Sequence, residues 1–520
     1  MGTGKTTVGK LLAKKLKREF IDTDQLIEER QGVTIPQIFT DLGESAFRKM
    51  EADIAEELGQ REGLVISTGG RLMLDPGNVA ALSSTGRVFC LVATPQEILS
   101  RLESDRDNHR PLLDVPNPSE QIVELLQERK KGYRRFLKLT TDGKPPADVA
   151  ENLLCLMQRR PRHFAIDNPV QPYEFIVGNG ILPFTRLLAG AEGMLVVITD
   201  TVVGKLYAQS CGSVDHVITI PSSSHHKTLT TVQAIYDQLI EVGFDRSGTI
   251  IALGGSVVGD ITGFVAATYM RGVNLVQCPT SLLAMADTSI GGKNSIDLPQ
   301  GKNLIGSFKQ PSIVLADVAT LTTLPPEELI SGMAEVVKHG FLADTDLLEK
   351  IERGNWPMKT DFLHSSSSEI QTLVAQAIQV KIAIVQDDPF DEGIRIHLNL
   401  GHTFAHAIEK VSKNEVRHGE AVAMGLAAAA DLSVRLGCCD RHLKDRIDFV
   451  LGKVGLPSRI PATFSPELLL DAMSLDKKRL AQSFRIVLPV KVGQVFVAND
   501  VDDEDILKTL QTMSSSNVSA

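Results

Sequence analysis

Three short apolar runs set the strongest limit on the fold. Met194–Thr199 (MLVVIT), Thr249–Leu253 (TIIAL) and Asn274–Gln277 (NLVQ) each lead into an Asp, Gly or Pro turn. Runs of this length and texture read as strands of a parallel sheet with helices on its faces. An α/β lobe is therefore expected over residues 169–320. Beyond Leu321 the texture changes. Glu369–Val385 and Glu420–Leu436 are amphipathic or Ala-rich, which predicts a mainly helical lobe over 321–512. At the other end, residues 7–18 place Val8, Leu11, Leu12 and Leu16 on one helical face, and Leu64–Ser67 and Arg87–Val92 read as strands. That alternation predicts another parallel α/β unit over 1–150. The polar, Pro-containing run Gln158–His163 and the stretch Asn168-Pro-Val-Gln-Pro mark a linker at 151–168, and the Ser-rich residues 513–520 read as a disordered tail. The fold class expected is a multi-domain α/β protein.

Composition narrows the function. At 520 residues the chain is long enough for three to four compact units, and 43% apolar, 23% charged and 5% aromatic residues place it in the globular range. Fifty-four Lys and Arg against 64 Asp and Glu give a net charge of −10. That argues against nucleic acid or an anionic membrane as the main partner, so an anionic ligand must meet a local basic cluster. Small-molecule substrates are expected instead. The longest uncharged stretch, Gly272–Ala286, is too short and polar to span a bilayer, and no signal peptide is read ahead of Gly2-Thr3-Gly4-Lys5. Six cysteines without a C-x-x-C pair predict reduced thiols and a cytoplasmic location.

Gly4-Lys5-Thr6 opening a helix is the back half of a G-x-x-x-x-G-K-[ST] phosphate loop. In such a loop backbone N–H groups and the helix N-terminus hold phosphates, the lysine reaches the β and γ phosphates, and the hydroxyl binds Mg²⁺. The loop's first glycine belongs five residues before Gly4, ahead of this sequence. Asp22-Thr-Asp24, Gly43-Glu-Ser-Ala-Phe-Arg48-Lys-Met-Glu51, Thr68-Gly69-Gly70, Arg110-Pro-Leu-Leu and Arg129-x-x-x-Tyr133 follow. Together these motifs resemble shikimate kinase over about 1–140. The resemblance implies that Gly2, Thr3, Gly4, Lys5, Thr6, Thr7 and the lid residue Arg110 surround ATP, that Thr6 meets Mg²⁺, and that Asp24, Arg48, Gly70 and Arg129 hold shikimate. Guanidiniums clamp a carboxylate bidentately, and a carboxylate accepts from ring hydroxyls. Arg71 stands where the family usually has a third glycine. The loop and its strand begin upstream of Met1, or this half binds ATP weakly.

Leu253-Gly254-Gly255-Ser256-Val257-Val258-Gly259-Asp260 follows an apolar run and precedes a helix, as a pyrophosphate-binding turn would. Arg271, Thr280, Ser281, Asp287, Lys293, Lys302 and Asn303 follow closely. Asn399-Leu-Gly-His402-Thr-Phe-Ala-His406 puts two histidines on one helical face, and His418-Gly-Glu420 comes 16 residues after His402. With Glu335 in Ser331-Gly-Met-Ala-Glu-Val-Val-Lys338, this set supplies two imidazoles and a carboxylate with an open fourth position, the pattern of a catalytic metal.

These motifs resemble 3-dehydroquinate synthase over about 170–512. The resemblance implies that Glu335, His402 and His418 bind Zn²⁺ or another divalent metal such as Co²⁺, with His406 a proton relay. It places Asp200, Lys227, Ser256, Val257, Val258, Gly259, Asp260, Thr280, Ser281, Lys293, Lys302 and Thr320-Leu321-Thr322-Thr323 around NAD in the 169–320 lobe. Arg271, Lys293, Asn303, Lys338, Lys381, Arg395 and His418 would gather on the substrate's phosphate and carboxylate. The implied chemistry is oxidation, phosphate elimination and reduction at one site, then ring opening and aldol closure. Ser224 and Ser256 replace a usual Glu and Gly. A homodimer through this part is expected.

Three functional readings follow. The first is a bifunctional shikimate-pathway enzyme with both activities; the second keeps an active synthase but makes residues 1–150 a non-catalytic docking module. The third is another sugar-phosphate cyclase or a metal-dependent polyol dehydrogenase, disfavoured because net alcohol oxidation needs no phosphate clamp.

Overall fold

The computed structural model describes residues 2–104, 117–354, 356, 367–413, 415–480 and 485–514. It divides into two compact units: Met1–Ala165 with Arg186–Gly190, and Ile166–Thr185 with Ala191–Ala520.

In the first unit the helix Lys5–Leu16 precedes β1 (Glu19–Asp22), and the helices Thr23–Gln31 and Ile35–Gly59 lead to β2 (Leu64–Ser67). The helix Pro76–Thr85 precedes β3 (Phe89–Val92), and two further helices lead to β4 (Leu137–Thr140) and the helix Pro146–Arg159. Local chemistry sets these boundaries. The Asp22 carboxylate accepts the Asp24 N–H where Thr23–Gln31 begins, and Asp75 accepts the N–H groups of Gly77 and Asn78 at the start of Pro76–Thr85. The core of Ile27, Ile38, Phe47, Ile54, Leu58, Leu72 and Phe136 lies under β1 and β2.

The sheet of this unit is divided. β1 pairs with β2 and β3 with β4, each in parallel, but β2 and β3 do not pair with each other. Between them lies a groove of about 840 Å³, lined by Leu12, Leu64, Ile66, Phe89, Leu91 and Met157 among others.

The second unit carries a continuous sheet. β6 (Tyr173–Gly178), β7 (Leu195–Asp200), β8 (His216–Ile220), β9 (Thr249–Gly254), β10 (Asn274–Pro279) and β13 (Ile313–Asp317) run parallel in the order β6-β13-β10-β9-β7-β8. β5 (Arg162–Ile166) spans the point where the chain passes from one unit to the other. Every residue of β9 is buried. The helix Ser256–Thr268 covers this face, with Ile261, Val265, Ile250 and Leu275 in one core. An antiparallel hairpin, β11 (Lys293–Leu298) and β12 (Gly301–Phe308), projects between β10 and β13 in the chain.

Beyond it come the helices Pro326–Ala343, Ser367–Asp387, His402–Val411 and His418–Arg435, the last buried along most of its length. The antiparallel hairpin β14 (Arg485–Lys491) and β15 (Gln494–Asn499) lies in this region read as helical; its run Ile486–Leu488 is buried. The expected linker 151–168 is ordered structure: its first part completes the helix Pro146–Arg159, and residues 162–166 form β5. Of the tail expected at 513–520, Met513 and Ser514 end the helix Asp503–Ser514 and the rest lie outside the described residues. All six cysteines are free thiols, and no described helix is long and apolar enough to cross a membrane.

Candidate active sites

The second unit gathers its polar residues at the carboxyl ends of its strands, where open α/β sheets place ligands. Asp200 ends β7, and one carboxylate oxygen accepts the N–H groups of Val202 and Val203 at 2.8 Å. Gly254 ends β9, and the turn of Ser256, Val257, Val258, Gly259 and Asp260 opens the following helix. Thr280 follows β10 and donates its N–H to the Gly254 carbonyl at 3.0 Å, and Ser281 lies beside Gly255. Thr320–Thr323 follow β13, where Tyr207, a residue no motif signalled, meets Thr323 at 2.8 Å. Lys227 reaches across to Asp260 at 2.5 Å, Asn303 at 2.6 Å and Ser295 at 3.0 Å. Burial raises Asp260 above the usual carboxylate range although Lys227 opposes the shift.

A cationic cluster lies on the helical side. The Lys381 ammonium donates to both the carbonyl and the carboxylate of Asp287 at 2.5 Å. Burial pushes Asp287 up, but Lys381 and Lys338 outweigh it and hold the group well below the carboxylate range. Arg395 donates to the carbonyls of Pro389 at 2.8 Å and Gly291 at 3.2 Å. A Cβ on Gly291 would stand 2.3 Å from Arg395 Nη2, so only glycine admits the guanidinium here, and its φ of +94° agrees. Lys293 pairs with Asp391. Arg271 is not among these residues. It is exposed, has φ +64°, and sits just before β10, at the amino end of the strand whose carboxyl end forms the site.

Glu335, fully buried on the helix Pro326–Ala343, faces two histidines through one oxygen. Oε1 lies 3.6 Å from His402 Nε2 and 3.9 Å from His418 Nε2. Lys338 pairs with Oε2, yet neither oxygen has a well-aligned hydrogen bond. Lys338 answers Oε2 alone, and a buried carboxylate oxygen left as Oε1 is costs free energy unless a second cation takes it up. The three ligand atoms lie within 4.8 Å of one another, so the residues fit a divalent metal. Burial and the charge of Lys338 push His402 well below the usual imidazole range. Burial would lower His418 too, but Glu409 and Glu335 raise it. The His406 ring lies 5.7 Å from His402. Sequence reasoning missed the fully buried His339, whose two ring nitrogens lack hydrogen bonds, because a lone histidine among apolar residues carries no motif.

The first unit holds a second constellation. Gly4, with φ +83°, starts the helix that carries Lys5 and Thr6, and the Thr6 hydroxyl donates to Asp22 at 2.9 Å. Asp24 is raised to about 6, first by burial and then by the charges of Asp22 and Glu51. Arg48 is held by Glu51 at 2.5 Å and Glu44 at 2.8 Å. Burial lowers Arg129, and its Nε has no hydrogen bond. Gly70 fits because an added Cβ would stand 2.7 Å from Arg129 Nη1, and its carbonyl accepts from Tyr133 at 3.0 Å. Gly2, Thr3 and Thr7 flank the same helix start. Arg110 lies outside the described residues.

Comparison with known proteins matches both constellations. Residues 1–158 match the shikimate kinase family, 217–331 the N-terminal and 332–479 the C-terminal part of 3-dehydroquinate synthase. The 3-dehydroquinate synthase of Synechococcus sp. is 39% identical over 363 residues, covering 67% of this chain and 97% of that protein. A 2-epi-5-epi-valiolone synthase from Streptomyces hygroscopicus, solved with NAD⁺ and Zn²⁺, is 25% identical with a TM-score of 0.61 and covers 66% of this chain and 96% of its own. The shikimate kinase from Acinetobacter baumannii, solved with shikimate, is 39% identical, covers 30% of this chain and 88% of its own, and has a TM-score of 0.28. The chain belongs to the 3-dehydroquinate synthase family and joins to it a shikimate kinase domain, the makeup of a bifunctional shikimate-pathway enzyme.

Proposed function

We propose that the second unit converts 3-deoxy-arabino-heptulosonate 7-phosphate to 3-dehydroquinate and phosphate, and that the first unit carries the residues for ATP-dependent phosphorylation of shikimate. The observation that carries the synthase reading is the shared focus of Glu335, His402 and His418 beside a buried cationic cluster. In this reading residues 169–320 form the cofactor lobe and 321–512 the metal and substrate lobe. Glu335, His402 and His418 would hold Zn²⁺ or Co²⁺; Asp200, Lys227, the 256–260 turn, Thr280, Ser281, Lys302 and Thr320–Thr323 would hold NAD. When bound, the metal acidifies a hydroxyl and NAD accepts and returns hydride.

The chain's own residues do the rest. Lys293, Asn303, Lys338, Lys381 and Arg395 bind phosphate and carboxylate, with Asp287 fixing Lys381 and Gly291 fixing Arg395. His406, one helical turn from His402, moves protons at the reacting carbons. The assay is direct: product should form with NAD⁺ and without net NADH, and chelation of the metal should abolish it. Stoichiometric NADH would instead show a dehydrogenase.

Arg271 takes its place in this reading through a second copy. About 20 Å of strand separate the two ends of β10, beyond the reach of an arginine, so a homodimer would offer Arg271 to the partner's site. Mixing inactive Arg271→Ala with inactive His402→Ala should restore activity through hybrid dimers; no recovery would remove Arg271 from the site. In the first unit Lys5 and the Gly2–Thr7 segment would hold ATP phosphates, Thr6 with Asp22 would hold Mg²⁺, and Asp24, Arg48, Gly70 and Arg129 would hold shikimate. A cytoplasmic location with no nucleic-acid or membrane partner completes the reading, supported by the free thiols and the net negative charge.

A further inference from the structure

We propose that Glu409 is a positioning residue that sets the ring of His418 for metal binding and ties that ligand to Lys302 of the β11–β12 hairpin. This rests on the reading of Glu335, His402 and His418 as metal ligands. Glu409 lies two turns after His402 on the same helix, so both side chains leave on one face. Its two carboxylate oxygens have different partners. Oε2 lies 3.6 Å from His418 Nδ1, and Oε1 lies 3.6 Å from Lys302 Nζ. The other ring nitrogen of His418, Nε2, faces Glu335.

Both ring nitrogens face carboxylates, and a carboxylate only accepts; with a metal taking the Nε2 lone pair between His418 and Glu335, the ring proton belongs on Nδ1, toward Glu409. That is the tautomer a metal at Glu335 and His402 requires, and carboxylate partners of this kind orient metal-binding histidines generally. The Glu409 side chain is 14% exposed and the Lys302 side chain 52% exposed. One carboxylate therefore joins a buried ligand to a cation on the rim of the cofactor lobe.

The test uses the full chain stripped of metal, with binding of Zn²⁺ or Co²⁺ measured by chelator competition and NAD⁺ binding by calorimetry. Glu409→Ala should weaken metal binding about 10- to 100-fold. It should also shift the His418 ring, followed by ¹⁵N NMR, away from the Nδ1–H tautomer. Glu409→Gln keeps an acceptor for Nδ1 but no charge for Lys302. It should hold metal affinity within about threefold while weakening NAD⁺ about two- to fivefold, as Lys302→Met should.

If Glu409→Ala does not fold, as judged by circular dichroism, the split shown by Glu409→Gln decides. Unchanged metal affinity and tautomer in Glu409→Ala, or unchanged NAD⁺ affinity in Glu409→Gln, overturns the inference. His402→Ala is the separate control. If it binds metal like wild type, the ligand assignment itself has failed; if it loses metal while the Glu409 variants behave normally, only the role of Glu409 falls.

Discussion

The two sheets of this protein use the same kind of strand with different outcomes. In the second unit β9 lies between β10 and β7, and all its residues are buried. In the first unit all four residues of β3 and three of the four in β2 remain partly exposed, and the two strands face each other across a groove instead of pairing. A parallel strand is stable when both edges are paired and both faces covered. The buried carboxylates differ in parallel. Burial pushes both up, but Lys381 and Lys338 answer Asp287 and pull it down, whereas Asp22 and Glu51 add to burial at Asp24.

The largest test of that contrast is at the metal site. His402→Ala and His418→Ala should each cost more than about 10²-fold in metal affinity, the upper range for outer partners alone. His406→Ala should keep the metal and lose about 10²- to 10⁴-fold in turnover, the range for a proton-transfer group. Metal analysis beside kinetics checks both. If His406→Ala lost the metal as completely as His402→Ala, the division of roles on this helix would be wrong.

Legibility in the sequence followed the same divide. The runs at 194–199, 249–253 and 274–277 fall on β7, β9 and β10, because buried parallel strands must be apolar throughout. The expected helix Glu369–Val385 lies within Ser367–Asp387, and Glu420–Leu436 overruns His418–Arg435 by one residue, the C-cap Leu436. Histidines at helical spacing signalled their chemistry, and Glu335, far away in the chain, was added to them as the carboxylate of a metal set. The partners that set the site's electrostatics were not legible. Asp391 and Glu409 look like ordinary surface acids in a sequence, and only tertiary contacts bring them to Lys293 and His418, whereas Glu51 meets Arg48 three residues away on one helix. Arg271 is the reverse case: its sequence proximity to Thr280 and Ser281 does not show that it stands at the opposite end of β10 from them.

The next test acts on the groove. Lys5, Thr6, Asp24, Arg48 and Arg129 are in place, but a phosphate loop also needs a full ring of N–H groups held by a paired strand. With β2 and β3 unpaired across the groove, kinase turnover of residues 1–520 should be weak or absent. A chain in which an apolar strand and a glycine five residues before Gly4 lead into Gly2 should gain at least about 10²-fold, the effect of restoring oriented backbone donors. Equal activity in both chains would break the comparison, and no activity in the extended one would favour a docking role for this unit.

The smallest effect concerns Asp24 and depends on pH. Burial, with the charges of Asp22 and Glu51, pushes its pKa up to about 6 in the fold from an ordinary 3.8, so between those values the folded state binds the proton more readily than the unfolded chain. Stability of the first unit should then fall as pH rises from about 4 to above 6, by at most about 3 kcal/mol at 1.36 kcal/mol per pKa unit. Asp24→Asn removes the charge that burial, Asp22 and Glu51 oppose, so it should stabilise this unit at pH 7.5, have little effect at pH 4, and weaken shikimate binding. Urea-dependent proteolysis of residues 1–165 in both proteins at the two pH values measures the difference, with the other carboxylates largely common to both proteins. Asp287→Asn should do the reverse in the second unit, destabilising it near neutrality by leaving Lys381 buried without its partner. If both substitutions destabilised their units equally at pH 7.5, the contrast between an answered and an unanswered carboxylate would not hold.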